Sequence, residues 1–265
     1  MPQEQVLSCP DLWIPSALDY FAPPAEQAFK PDGPWEHSWY VLNIDESDFS
    51  FKRPSPQGVL RITRGKTAWG KFDLNIDMLT SKHQWKAFHH TTIQAQCKAD
   101  LLASPVSWQL ESVILDPYMR PFEETRVHQS GSLARGALTI KAANKRKVWV
   151  PRNVAANYGM FDVVQRLAYD NFAPFCFCML EDMDLVKVGQ VLYKLDPLNV
   201  ETSRGKMGLC GFLQIGTGIL PYHYWLDESG RLILASGGLR AFVFNPNAKI
   251  ADCDTSWIFD EVRAE

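Results

Sequence analysis

In Phe122-Glu-Glu-Thr-Arg-Val-His-Gln129, strand alternation places Glu124, Arg126 and His128 on one face. A carboxylate, a guanidinium and an imidazole so grouped could do acid–base work on a bound polar molecule, with His128 as base and Glu124 orienting it. The same spacing fits a solvated face on which Glu124 and Arg126 make a weak surface pair. The residues alone leave both open. A second group is aromatic. In Tyr222-His-Tyr-Trp225, His223 and Trp225 share one face and Tyr222 and Tyr224 the other. Rings with polar tips suit a pocket that stacks a sugar or cradles an acyl chain, and equally a strand packed on both sides. With Trp85 and Trp108 inward on their own strands, the expected ligand-binding wall is Trp85, Trp108, Tyr224 and Trp225. Arg126 and His128 are its polar anchor, beside Glu124.

Other chemistry is poorly provided for. The histidines are His37, His83, His89, His90, His128 and His223. Neighbours such as His89 and His90 point to opposite faces of a strand, and no His-x-His or His-Glu-x-x-His spacing occurs, so no metal is expected. His89 instead reads as a hydrogen-bonded core histidine and His90 as a polar-face residue. Cys176 and Cys178 are spaced too closely for a zinc half-site, and six cysteines in 265 residues build no disulfide scaffold. Glycines 205, 208, 211, 216 and 218 lack the Lys-Ser/Thr ending of a phosphate loop, and no Gly-x-Ser-x-Gly elbow is present. No cofactor is called for.

The elements that must hold these groups are strands. Phe72, Leu74, Ile76 and Met78 alternate with Lys71, Asp73, Asn75 and Asp77, so one face is buried and one wet. Trp85 through Cys97, Trp108 through Ile114, and Leu138 through Ala142 repeat the pattern. Residues 205–245 read as four strands in a meander, with a turn at Glu228-Ser-Gly230. One stretch breaks the period. Asn157–Ala168 sets Phe161, Val164 and Leu167 at helical spacing with Asn157 as cap. Residues 1–38 carry Pro10, Pro15, Pro23, Pro24, Pro31 and Pro34 among aromatic residues, so a strap with at most a short helix near 17–21 is expected. The fold class is therefore mainly β: a large curved antiparallel sheet, half-open or closed as a barrel, with one covering helix. The organisation is an arm (1–38) on a single domain (39–265).

A formal charge of −3 and a pI near 6.1 give no global pull toward nucleic acid, which is not an expected partner. The basic residues Lys145, Arg146, Lys147 and Arg152 form only a local cluster. No apolar run is long enough to span a bilayer. The start, Met1-Pro-Gln-Glu-Gln-Val-Leu-Ser-Cys9, lacks a basic and then apolar stretch, so no signal peptide is expected and the cytoplasm is the default compartment.

Phe161-Asp-Val-Val-Gln-Arg-Leu167, Gly216-Thr-Gly-Ile-Leu-Pro221 and Tyr224-Trp-Leu-Asp-Glu-Ser-Gly-Arg-Leu232 resemble a group of uncharacterised bacterial proteins. These have a large curved antiparallel sheet and are similar to lipoprotein-carrier folds. The resemblance covers about residues 157–245. It implies a half-barrel wrapping a helix and carries over no catalytic residue. The function these readings converge on is binding of an apolar or amphipathic, lipid-like small molecule in an aromatic-lined cavity. The alternatives are a metal-independent lyase, isomerase or cyclase using His128 or His223 as base in that cavity, and a structural partner in a larger complex.

Overall fold

The computed structural model describes residues 14–24, 29–43, 56–82, 85–142, 145–150, 153–238 and 240–253. Cys9, His83 and Arg152 lie outside the described residues, as do the side chains of Lys145 and Lys147. Two meanders share one 15-stranded sheet. The first comprises β1 (Trp35–Asn43), β2 (Pro56–Arg64), β3 (Lys71–Lys82), β4 (Ala87–Lys98), β5 (Pro105–Leu115), β6 (Val127–Ala134), β7 (Ala137–Lys141) and β8 (Lys145–Trp149). The second comprises β9 (Val154–Ala156), β10 (Phe175–Glu181), β11 (Leu185–Thr202), β12 (Gly205–Ile215), β13 (Tyr222–Leu226), β14 (Leu232–Gly237) and β15 (Arg240–Phe244). Helices α1 (Ile14–Leu18) and α2 (Met160–Arg166) complete it.

The meanders join where β1 pairs antiparallel with β15, Trp39 opposite Phe244 and Asn43 opposite Arg240. That leaves β8 and β9, almost adjacent in the chain, as the two outer strands. The sheet curls until its distant parts touch. Gln129 of β6 donates from Nε2 to the Met183 carbonyl at 2.7 Å, and Arg146 of β8 meets Asp184 at 2.5 Å. Curling is what a long twisted sheet does to bury its apolar face without exposing an edge.

The inner face is the core. Trp39, Leu60, Ile62, Leu74, Ile76, Ile93, Trp108, Leu138, Phe212 and Phe244 are all buried in one cluster with Phe161 and Val164 of α2. Alternation drives this: along β3 the burial switches at every residue from Lys71 to Met78. Helix α2 lies inside the curl. Phe161 meets Trp39 and Phe242 edge-on at 5.2 and 5.4 Å, and Gln165 accepts the Leu232 amide through Oε1 at 3.0 Å. The helix starts at Met160 rather than Asn157, because Asn157 to Gly159 form a turn and the Asn157 amide donates to Asp182. The outer face is polar along β3 to β5, and it is covered elsewhere. Ala17, Leu18 and Phe21 of the arm join the core cluster, and Ile250 packs over Phe88, Val113 and Leu115. β1 begins at Trp35, four residues before the expected start of the sheet.

No helix among the described residues is long and apolar enough to cross a membrane.

Candidate functional site

Residues at corresponding ends of the strands can be read from the register. The end carrying Arg64, Trp35 and Phe72 is closed. Arg64 is buried and bonds through all three guanidinium nitrogens: Nε on Asp162 Oδ1 at 2.8 Å, Nη1 on the carbonyls of Asp32 and Gly33, and Nη2 on Thr67 Oγ1. Arg166 holds the other Asp162 oxygen at 2.7 Å. Burial pushes the Asp162 carboxyl up, while the two guanidiniums favour its charged form. Nearby, His37 stands among Trp35, Phe29, Phe244 and Trp39 with ring centroids 4.7 to 5.7 Å away. Burial, aided by the positive charge of Arg231, lowers the His37 pKa to about 3.

The opposite end is hollow. A cavity of about 550 Å³ opens there. Its floor and walls are Tyr158 before α2, Phe161 on it, Met179 of β10, Tyr222 and Tyr224 of β13 and Phe242 of β15. Its polar groups are Asn43, Asn157, Glu181, Asp182, Lys187, Gln214 and Arg240. Alternation along β13 explains the choice of rings, since Tyr222 and Tyr224 face inward where their cross-strand partners are Gly237 and Ala235. Gly237 leaves room for the Tyr222 ring; a Cβ there would stand 1.9 Å from its Cδ2. Tyr224 donates to Gln214 Oε1 at 2.9 Å, and Gln214 Nε2 donates to Gln190 Oε1 at 3.1 Å. Deep burial raises the pKa of both Tyr222 and Tyr224, so both remain neutral phenols.

Of the residues singled out from sequence, Tyr224 lines this cavity. Trp108 is buried in the inner face under Gly131, whose absent side chain makes room for the indole. Trp225 alternates to the outer side of β13, packed over Gly211 and still buried. His223 shares that outer side, so it does not line the cavity. Trp85 is a correction: β4 begins at Ala87, Lys86 takes a left-handed φ of 48°, and the Trp85 ring is 69% exposed.

The Glu124–Arg126–His128 strand face is also corrected. Glu123–Thr125 is a 3-10 turn and β6 starts at Val127, so alternation does not reach Glu124. Arg126 pairs instead with Glu123 at 2.6 Å and with Glu111. His128 lies across from Glu111, its Nδ1 3.6 Å from the carboxylate, on the outer face and 66% exposed. That face bears shallow polar grooves of about 290 and 610 Å³, lined by Thr92, Gln94, Gln109 and Ser130 among others. A further depression of about 440 Å³ lies between Lys98, Arg135 and Phe175.

The two His89-His90 readings match the geometry. His89 points inward, 2.6 Å from Ser112 Oγ, and burial followed by the nearby Lys82 and Arg240 charges lowers its pKa. His90 points outward and bonds Asp77 at 2.8 Å, which raises its pKa. Among the described residues no group of three or more His, Cys, Asp or Glu is arranged to hold a metal. Sequence reasoning missed Tyr158, Phe242 and Arg240. Arg240 opens β15 directly after a turn, where a cation looks like a solvated strand end.

No protein-family model matches this sequence, and no curated protein does. Among solved structures the chain is similar to a β-barrel-like protein of Domain of Unknown Function DUF1849 from Brucella abortus. The TM-score is 0.53 at 10% identity, over 80% of this chain and 95% of that one. At that identity the likeness speaks for the fold alone, a large curved antiparallel sheet. A second structure, Aeromonas veronii immune modulator A, aligns with a TM-score of 0.20 at 8% identity, too low to bear on the fold.

Proposed function

We propose that this chain binds a small amphipathic molecule in the cavity between α2 and strands β10 to β15. The observation that carries the reading is the lining: eight apolar or aromatic side chains, Ile219 and Leu220 among them, with a few polar groups between. Its volume of about 550 Å³ lies within the roughly 300–1,000 Å³ of small-molecule sites, and such sites are apolar hollows with a few convergent polar groups. The outer-face grooves are lined mainly by amides, hydroxyls and carboxylates, which water already satisfies. A guest would gain about 25 cal/mol for each Å² of apolar area removed from water. If the guest is an acyl chain, the protein acts as a lipid carrier. In this reading the arm (1–38) and the remainder (39–265) work as one unit, with Ala17, Leu18 and Phe21 packed into the common core. The alternative in which His128 or His223 acts as base in the cavity finds neither residue in its lining.

The test is titration with a fluorescent fatty-acyl probe, read by emission and checked for stoichiometry by native mass spectrometry. Wild type binds close to one equivalent. Gly237→Ala forces the Tyr222 ring out of its place and weakens binding about tenfold or more, an effect of the size expected for overpacking. A wild-type protein that carries no amphiphile and binds none defeats the reading.

A further inference from the structure

Three donors that line this cavity have no oxygen acceptor among the described residues. Arg240 lines the cavity and makes no ion pair with any described residue. The Tyr222 hydroxyl makes no hydrogen bond to a described residue, and the Tyr158 hydroxyl reaches only the thioether of Met78, at 3.7 Å. These three groups line one cavity, together with Glu181 and Asp182. Burial raises the pKa of both phenols, so each keeps its proton to donate. The acids of the lining are already engaged. Glu181 holds Lys187 at 2.5 Å, and Asp182 accepts from Asn157 Nδ2 at 3.0 Å. Tyr224, Gln214 and Gln190 satisfy one another. Behind Arg240 stand Lys82 and His89. Burial first, and Arg240 among their neighbouring charges, lowers the pKa of both.

We infer that the molecule held in this cavity presents an anionic oxygen head group, a carboxylate or a phosphate, to Arg240 and to the hydroxyls of Tyr158 and Tyr222. Its apolar part lies on Phe161, Met179 and Phe242. A guanidinium offers a planar fork of N–H donors that matches two oxygens of either group. Phenol O–H groups add two more donors, and an anionic oxygen accepts from such donors more strongly than a neutral alcohol, while an ammonium head accepts from none. This rests on the cavity reading above and adds the chemistry of its ligand.

The test displaces the fluorescent acyl probe with four amphiphiles of equal chain length: dodecanoate, dodecyl phosphate, dodecanol and dodecyltrimethylammonium. Wild type favours at least one of the anions over dodecanol by about tenfold or more, the scale of a charge-assisted hydrogen bond. The better of the two anions identifies carboxylate or phosphate as the natural head. In Arg240→Gln that ratio falls toward one, and Tyr222→Phe and Tyr158→Phe each reduce it several-fold. Arg240→Lys, which keeps the charge but loses the fork, restores part of it. Thermal unfolding of each variant confirms that it is folded. Equal affinity of wild type for all four heads overturns this inference and leaves the cavity reading standing. A strong preference that survives Arg240→Gln overturns the assignment to these residues. Failure of every amphiphile to displace or bind defeats both.

Discussion

Arg64 and Arg240 both stand near the ends of strands, the first buried and the second exposed, and they differ in almost everything else. Arg64 meets a carboxylate, two backbone carbonyls and a hydroxyl, and lies 4.1 Å over the Phe72 ring. Arg240 meets open space beside two phenols. One end of the curl has consumed its polar groups in holding α2 and the arm together. The other has left them for something else. A buried cation bonded through all three of its nitrogens is structural, whereas an exposed one beside a hollow is free to meet a partner from outside.

The contrast breaks most severely at the closed end. Asp162→Ala leaves Arg64 and Arg166 without their shared carboxylate in the interior. Removing one member of a buried charge cluster costs about 3–5 kcal/mol, so denaturant unfolding should show a loss of that order. Asp162→Asn, which keeps the shape, should lose less. An unchanged midpoint in Asp162→Ala would mean that the closed end is not held by this network.

Acid provides the next test. His37 has its folded pKa lowered to about 3 from an unfolded value near 6.5. Between these limits the unfolded chain binds a proton that the folded chain refuses, so stability falls as pH drops from about 6.5 toward 3. The slope from this group approaches about 1.4 kcal/mol per pH unit in the middle of the window. His37→Phe should flatten that part of the stability–pH curve. A profile identical to wild type would show that His37 does not set it.

The smallest effects belong to residues that sequence made conspicuous. Trp85→Ala and His128→Ala, both on exposed side chains, should change stability by less than about 0.5 kcal/mol and leave amphiphile binding as it is. A large loss of binding in either would move the site to the outer face and erase the contrast between the two ends.

How far the molecule could be read from its sequence follows from how local each signal is. The clean alternation of Phe72 to Met78 depends only on neighbours two apart, and together with the apolar runs after Gly205 it announced the sheet. β11 was not legible. Its 18 residues contain Gly189 and Pro197, and its pairing shifts register between Leu195 and Leu198, so burial along it keeps no steady period. Alternation was overextended at Glu124 and Trp85, where a 3-10 turn and a left-handed residue end the strand. The cavity was only half visible. Tyr222 and Tyr224 announce themselves in sequence, but Tyr158, Phe161, Phe242 and Arg240 join them through pairings that span the second meander. No spacing rule reaches that far.

The seam between β1 and β15 has a consequence for how the chain is made. Trp39 and Phe244 are opposite each other yet some two hundred positions apart, so β1 waits for its neighbour while nearly the whole second meander is synthesised. At about 5–20 residues per second that interval is on the order of ten seconds or more. Throughout it the ladder groups of Trp39-Tyr-Val-Leu42 lie open along one side, an adhesive margin in a nascent polypeptide. Shielding by a chaperone would matter most in that interval, and a stop codon anywhere before Arg240 would make the exposure permanent.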